Sequence, residues 1–148
     1  MTKAINFLEL ELTQYIMEDF PQLITDKEFI EGRAQLALET MLSYTKQGYS
    51  IDDSLYEAHR VLYEGLNYSL FKEIIYLLEC HFPEVPEEEW RPMAIRLMEA
   101  CKDVTDKYVL NDDFDGSPDR DVMKEELVEH IRSYINEYGI QQTDRADE

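Results

Sequence analysis

The sequence predicts an all-α protein, a single compact bundle of about six helices with the fourth helix central. Three observations predict it. Glycine and proline number only five each in 148 residues, while Leu, Glu, Ala, Tyr and Met are abundant, a balance that favours helices over strands and turns. Apolar residues recur at steps of three and four through six segments. Start and stop signals for helices flank those segments. By length the chain is one domain over residues 1–140. The polar end "QQTDRADE", residues 141–148, is expected to be a disordered acidic tail.

The first helix is expected from Ala4 to Asp19, where Ile5, Leu8, Leu12, Tyr15 and Ile16 recur at helical spacing and Pro21 stops it. The second opens at Thr25 with Glu28 three residues on, a capping-box pattern. Its stripe is Phe29, Ile30, Ala34, Ala37, Met41 and Tyr44, and Gly48 ends it by taking a left-handed conformation. Ser50 caps the third helix, with Asp53 at the box position; Leu55, Ala58, Val61 and Leu62 are its stripe, and Gly65 ends it.

Ser69 caps the fourth helix. Leu70, Phe71, Ile74, Ile75, Leu77, Leu78 and Phe82 make it apolar over more than half its circumference, hence its predicted central place. Pro83 stops it. The fifth helix starts between Glu88 and Arg91, because Pro92 is tolerated only in a first turn. It carries Trp90, Met93, Ala94, Leu97, Cys101 and Val104. The sixth runs from Pro118 to Tyr138 on Val122, Leu127, Ile131, Ile135 and Tyr138, and ends at Gly139.

Charge narrows the partners. With 33 acidic against 14 basic residues the net charge is −19, and the basic residues form no cluster. Such a surface repels nucleic-acid phosphates and anionic membranes. It suits basic proteins, cations or neutral surfaces, and it keeps a protein soluble. Cys80 and Cys101 each lie in an apolar helical pattern, which reads as two buried thiols in a reducing compartment and a cytoplasmic location. The N-terminal segment carries Glu9 and Glu11 and no long apolar core, so no signal peptide or membrane span is expected.

The segment "YVLNDDFDGSPDRDV", Tyr108 to Val122, resembles a calcium loop. With Gly116 at the sixth position, Asn111, Asp113 and Asp115 fall at the first, third and fifth, and Asp119 at the ninth. The twelfth position, which should be a bidentate Glu, is Val122, and the eighth is Pro118. A helix-start reading accounts for more of the same residues. Ser117 is the N-cap, Pro118 the first helical residue and Asp119 an acid in the first turn. Asp112 and Asp113 hold the turn, and Phe114 enters the core. No metal ion and no cofactor are expected. His59, Cys80, His81, Cys101 and His130 lack the paired spacing of a zinc site. No nucleophile elbow, phosphate loop or dinucleotide fingerprint occurs, and no catalytic residue and no enzyme are expected.

Two candidate interaction surfaces stand out. One is the aromatic group Tyr63, Tyr68, Phe71 and Tyr76 in "VLYEGLNYSLFKEIIY", since tyrosine is enriched at interfaces. The other is the acidic corner of Asp112, Asp113, Asp115 and Asp119.

Three stretches, "DKEFIEGRAQLALE", "VLYEGLNYSLFKEIIYLL" and "YVLNDDFDGSPDRDV", in that order and spacing over about Asp26 to Ile140, resemble domain-of-unknown-function family eighteen ninety-six. These are small bacterial proteins often carried on conjugative and other mobile elements. The family pattern Leu-x-Asp-Asp-Phe-x-x-Ser-Pro matches Leu110, Asp112, Asp113, Phe114, Ser117 and Pro118, whereas Asp115 and Gly116 are this chain's own. The resemblance implies an all-α cytosolic protein and brings no catalytic residues. The resulting expectation is a non-enzymatic protein–protein interaction protein accessory to a mobile element, with an unidentified protein partner for which the charge suits a basic one. The alternatives are an acidic nucleic-acid mimic that inhibits a DNA-binding protein and, more weakly supported, a metal-binding sensor.

Overall fold

The computed structural model describes residues 2–140. The expected disordered tail, residues 141–148, lies outside the described residues. Seven α-helices occur among the described residues, and no strand does: α1 (Thr2–Asp19), α2 (Lys27–Lys46), α3 (Ile51–Leu62), α4 (Leu70–His81), α5 (Trp90–Ala100), α6 (Lys102–Thr105) and α7 (Pro118–Tyr138). The all-α expectation therefore holds. The chain divides into two compact units, one up to Asn67 and one from Tyr68 onward. Each unit has its own cluster of buried side chains.

In the first unit α1 buries Leu8, Leu12 and Ile16, four residues apart on one face. The cap of α2 is Asp26, one residue later than the sequence suggests, with its carboxylate accepting from Phe29 N–H at 3.1 Å. Asp26 outcompetes Thr25 because it stands one residue before the first helical turn. Ile30, Ala34, Ala37 and Leu38 of α2 share a core with Ser54, Ala58 and Leu62 of α3. Three fully buried alanines let the backbones approach closely. Ser50 caps α3 as expected, accepting from Asp53 N–H at 3.0 Å. Gly48 and Gly65 take positive φ at the two helix ends. Arg33 then reaches the carbonyls of Val61, Leu62 and Glu64 at 3.2, 3.3 and 2.5 Å, adding a charged donor where α3 ends.

In the second unit α4 is central to the core, burying Phe71, Ile74, Leu77 and Leu78. Ser69 caps it, accepting from Lys72 N–H at 3.0 Å. Met93, Ala94 and Leu97 of α5 and Met123, Leu127 and Ile131 of α7 complete that core. Three details depart from the sequence reading. The fifth helix stops at Ala100, and the single turn α6 follows, so Val104 belongs to a separate element. Val122 is half exposed and Met123 takes its place, because α7 buries every fourth residue from 123. Cys80 is exposed, since it sits two positions past the buried Leu78; only Cys101 is a buried thiol, and burial pushes it up to about 12.

Candidate interaction surfaces and the acidic turn

The acidic turn is built from local hydrogen bonds over an aromatic plug. Asn111 bends the chain, its side-chain oxygen accepting from Asp113 N–H at 3.1 Å and its carbonyl from Phe114 N–H at 3.0 Å. Asn111 therefore helps to hold the turn through its side chain, a role the sequence reading did not give it. Phe114 is buried, as expected, with its ring edge-on to Tyr68 at 4.9 Å and to Tyr108 at 6.0 Å. Ser117 stands at the N-cap position of α7 but does not cap it with its side chain. Its hydroxyl instead donates back to the Phe114 carbonyl at 3.0 Å. Pro118 occupies the first helical position, where no N–H is missed.

Beneath the turn lies a buried charge that sequence reading missed. Glu73 of α4 has a side chain only 2% exposed. Arg120, in the first turn of α7, places Nε 2.7 Å from Glu73 Oε1 and its outer nitrogen 3.5 Å from Oε2. Tyr68 donates its hydroxyl to the same carboxylate at 3.0 Å. The other nitrogen of Arg120 lies 3.4 Å from Oδ1 of Asp115, an exposed residue of the turn. One guanidinium thus ties the turn's own acid to a carboxylate in the core. The hydrogen bond to Glu73 holds Arg120 more firmly protonated than usual, and burial, then the Glu73 charge, push the Tyr68 phenol upward. A signal was present: Glu73 lies on the line of Leu70 and Leu77, inside an apolar stripe. Its partner, 47 residues away, left none.

Two of the four residues of the predicted aromatic surface, Tyr68 and Phe71, are buried. Tyr63 belongs to the first unit, half-buried against Tyr15 at 4.9 Å. Tyr68 is 7% exposed and Phe71 is fully buried, with the Arg91 guanidinium 4.7 Å above the Phe71 ring. Phe71 is a core residue because 71, 74 and 78 fall on one helical face, and Tyr68, ahead of that helix, is one because its ring meets Phe114 and its hydroxyl meets Glu73. Tyr76 alone of the four is broadly exposed, beneath Lys124 Nζ at 5.4 Å. In the acidic corner Asp113, Asp115 and Asp119 are exposed and Asp112 is half-buried.

Among the described residues no group of three or more His, Cys, Asp or Glu side chains is placed to hold a metal ion. The would-be loop ligand Asp115 faces Arg120 instead. His59 pairs with Glu11 at 2.8 Å. His130 lines a shallow depression with Ala100, Ser133, Tyr134, Glu137 and Tyr138, and its Nε2 lies 3.2 Å from the Ala100 carbonyl. No helix among the described residues is long and apolar enough to cross a membrane.

A different surface appears on α1. Phe7, Leu10 and Met17 are 55%, 57% and 53% exposed. Successive residues advance 100° around a helix, which places these three within about 80° of one another and opposite the buried Leu8, Leu12 and Ile16. The helix is apolar on two sides.

Comparison with known proteins fits this fold. The structure is similar to the crystal structure of protein PG0816 from Porphyromonas gingivalis, with a TM-score of 0.90 and 30% identity, covering 96% of this chain and 97% of that one. No curated protein matches the chain. The model of the family described as "Domain of unknown function (DUF1896)" matches residues 1–140, and the chain belongs to that family.

Proposed function

We propose that the chain is a non-enzymatic protein-interaction protein of the cytosol, accessory to a mobile element, and that α1 provides its contact surface. The observation that carries this reading is the second apolar face of α1. Leaving Phe7, Leu10 and Met17 half in water forgoes on the order of 1 kcal/mol of burial free energy for each. Single exposed apolar residues need no explanation, but a row aligned along one helix is the pattern of a binding face. The ionisable groups nearest to chemistry are engaged elsewhere: Glu73 with Arg120 and Tyr68, His59 with Glu11. The mobile-element setting rests on the family resemblance.

The nucleic-acid mimic is the weaker reading. A mimic spreads its carboxylates freely over one face, whereas Asp115 is drawn onto Arg120 and Glu126 onto Lys107 at 3.0 Å. Affinity capture from the native host with the tagged full chain tests the proposal. The expected result is a protein retained by the wild type and lost with Phe7→Glu/Leu10→Glu. Capture that the double substitution does not alter overturns the assignment of this surface.

A further inference from the structure

The end of α7 is held from beyond the helix itself. Asn136, Glu137, Tyr138 and Gly139 are all exposed, so little of their own packing fixes them. Gly139 takes φ 80° and ψ −177°, a combination open in practice only to glycine. Nothing lies within 4 Å of the place where a Cβ would stand on Gly139, so the backbone conformation, and not crowding, calls for glycine there. Its N–H donates to the Ile135 carbonyl at 2.8 Å, the bond that closes a helix end of this type. The chain then turns back, and Ile140 lays a half-buried side chain against the core cluster of the second unit.

A side chain of α5 meets it. Arg96 donates from one outer nitrogen to the Ile140 carbonyl at 2.6 Å, across 44 residues of chain. Arg96 is half-buried, and its Nε is buried with no hydrogen-bond partner among the described residues. A guanidinium with one orphaned donor carries a desolvation cost that an apolar residue at the same place would avoid. What it gains is a charge-assisted hydrogen bond to the main chain just past α7. Ala100 lies one turn beyond Arg96 on α5, and it lines the shallow depression together with Tyr134, Glu137 and Tyr138 of α7. Whatever ties the end of α7 to α5 also holds those walls together.

We propose that Gly139 and Ile140 form a strap that closes the end of α7 onto α5, with Arg96 as its catch, and that the strap opens together with the last turn of α7 while the core around α4 stays folded. Phe71, Ile74 and Leu77 of α4 are fully buried, whereas the catch is a single long-range hydrogen bond at the margin of the unit. Exposed segments held by few contacts open at lower free energy than the core they rest on. Arg96 is thus a positioning residue for the α7 wall of the depression.

The test is amide hydrogen exchange of the full chain, read by mass spectrometry on overlapping fragments. Arg96→Met keeps an unbranched apolar stem and removes the donors. It should quicken exchange across residues 135–139 about tenfold or more and change residues 74–78 of α4 by less than about twofold. Gly139→Ala should quicken the same residues by the backbone route, since alanine has room there but not the conformation. Exchange at 135–139 that stays as slow as in wild type in either variant overturns the proposal. Equal quickening in α4 also overturns it, because Arg96 would then support the whole unit and not a strap. An Arg96→Met chain that fails to fold overturns it for the same reason.

Discussion

In the unit that ends at Asn67 the core is aliphatic side chains and small residues around one phenylalanine, Phe20, with Ala34, Ala37 and Ala58 fully buried. Its long polar groups work at the margins: Arg33 on the end of α3, and the Tyr15 hydroxyl donating to the Leu66 carbonyl at 2.7 Å. In the unit that begins at Tyr68 the core admits a carboxylate, Glu73, together with the arginine that neutralises it and the phenol that donates to it. The difference teaches what a buried charge is for. Taking both charges from water costs several kcal/mol per ion, so the pair is weak evidence for stability. Its geometry explains its presence better. Arg120 can satisfy Glu73 only while α7 begins where it does, and that position fixes the turn from Asn111 to Ser117. Small residues set the spacing between two helices; the ion pair sets where a loop ends.

The largest way to break this comparison is Arg120→Ala. Removing one partner of a buried pair costs about 3–5 kcal/mol, and the 31% exposure of Arg120 trims that to about 2–4 kcal/mol. Urea denaturation should show it as a lowered midpoint. The apolar set Tyr68→Phe/Glu73→Leu/Arg120→Met should stay within about 1 kcal/mol of wild type, since it strands neither a charge nor the Tyr68 hydroxyl. Amide exchange should nevertheless quicken across residues 111–117 in that variant. If the turn stays as protected as in wild type, the ion pair does not position it.

Legibility in the sequence divides along the same line. Local signals located the helices well: Ser50 and Ser69 cap where their hydroxyls and their neighbours suggest, and Pro118 to Tyr138 forms the last helix as expected. Phe114 enters the core as its place in an otherwise polar turn implies. What depends on distant partners was hidden. The Asp26 cap, the shift from Val122 to Met123 and the exposure of Cys80 each turn on a step of one or two residues, which periodicity resolves poorly. The group Tyr63, Tyr68, Phe71 and Tyr76 reads as a cluster along the chain, yet helical rotation sends Phe71 inward and Tyr76 outward. On α1 the stripe that holds Leu8, Leu12 and Ile16 packs inward as the spacing implies, whereas the second row of Phe7, Leu10 and Met17 went unread until the structure left it exposed.

A middle-sized test is Ala37→Val in the first unit. Ala37 is fully buried on α2, and two added methyl groups there must displace a neighbour. Overpacking of this kind costs about 1–3 kcal/mol. The same substitution at Ala4, half-buried near the start of α1, should cost far less. Equal effects at the two positions would show that close approach of α2 and α3 is not what the alanines provide.

The smallest effect runs in the opposite direction. Ser54 of α3 is fully buried, and its hydroxyl meets no hydrogen-bond partner among the described residues. A buried polar atom left unsatisfied costs about 1–3 kcal/mol, and alanine fills nearly the same space with a better helix propensity. Ser54→Ala should therefore raise stability by about 1 kcal/mol, seen as a higher midpoint with an unchanged denaturant slope. The contrast with Glu73 is the point of the experiment. Both are polar groups in an apolar surrounding, but one has three donors aimed at it and the other has none. Removing the satisfied group should destabilise and removing the unsatisfied one should stabilise. A Ser54→Ala variant that loses stability would mean that its hydroxyl holds a partner, such as the carbonyl one turn back on α3, and that the first unit also relies on polar contacts inside its core.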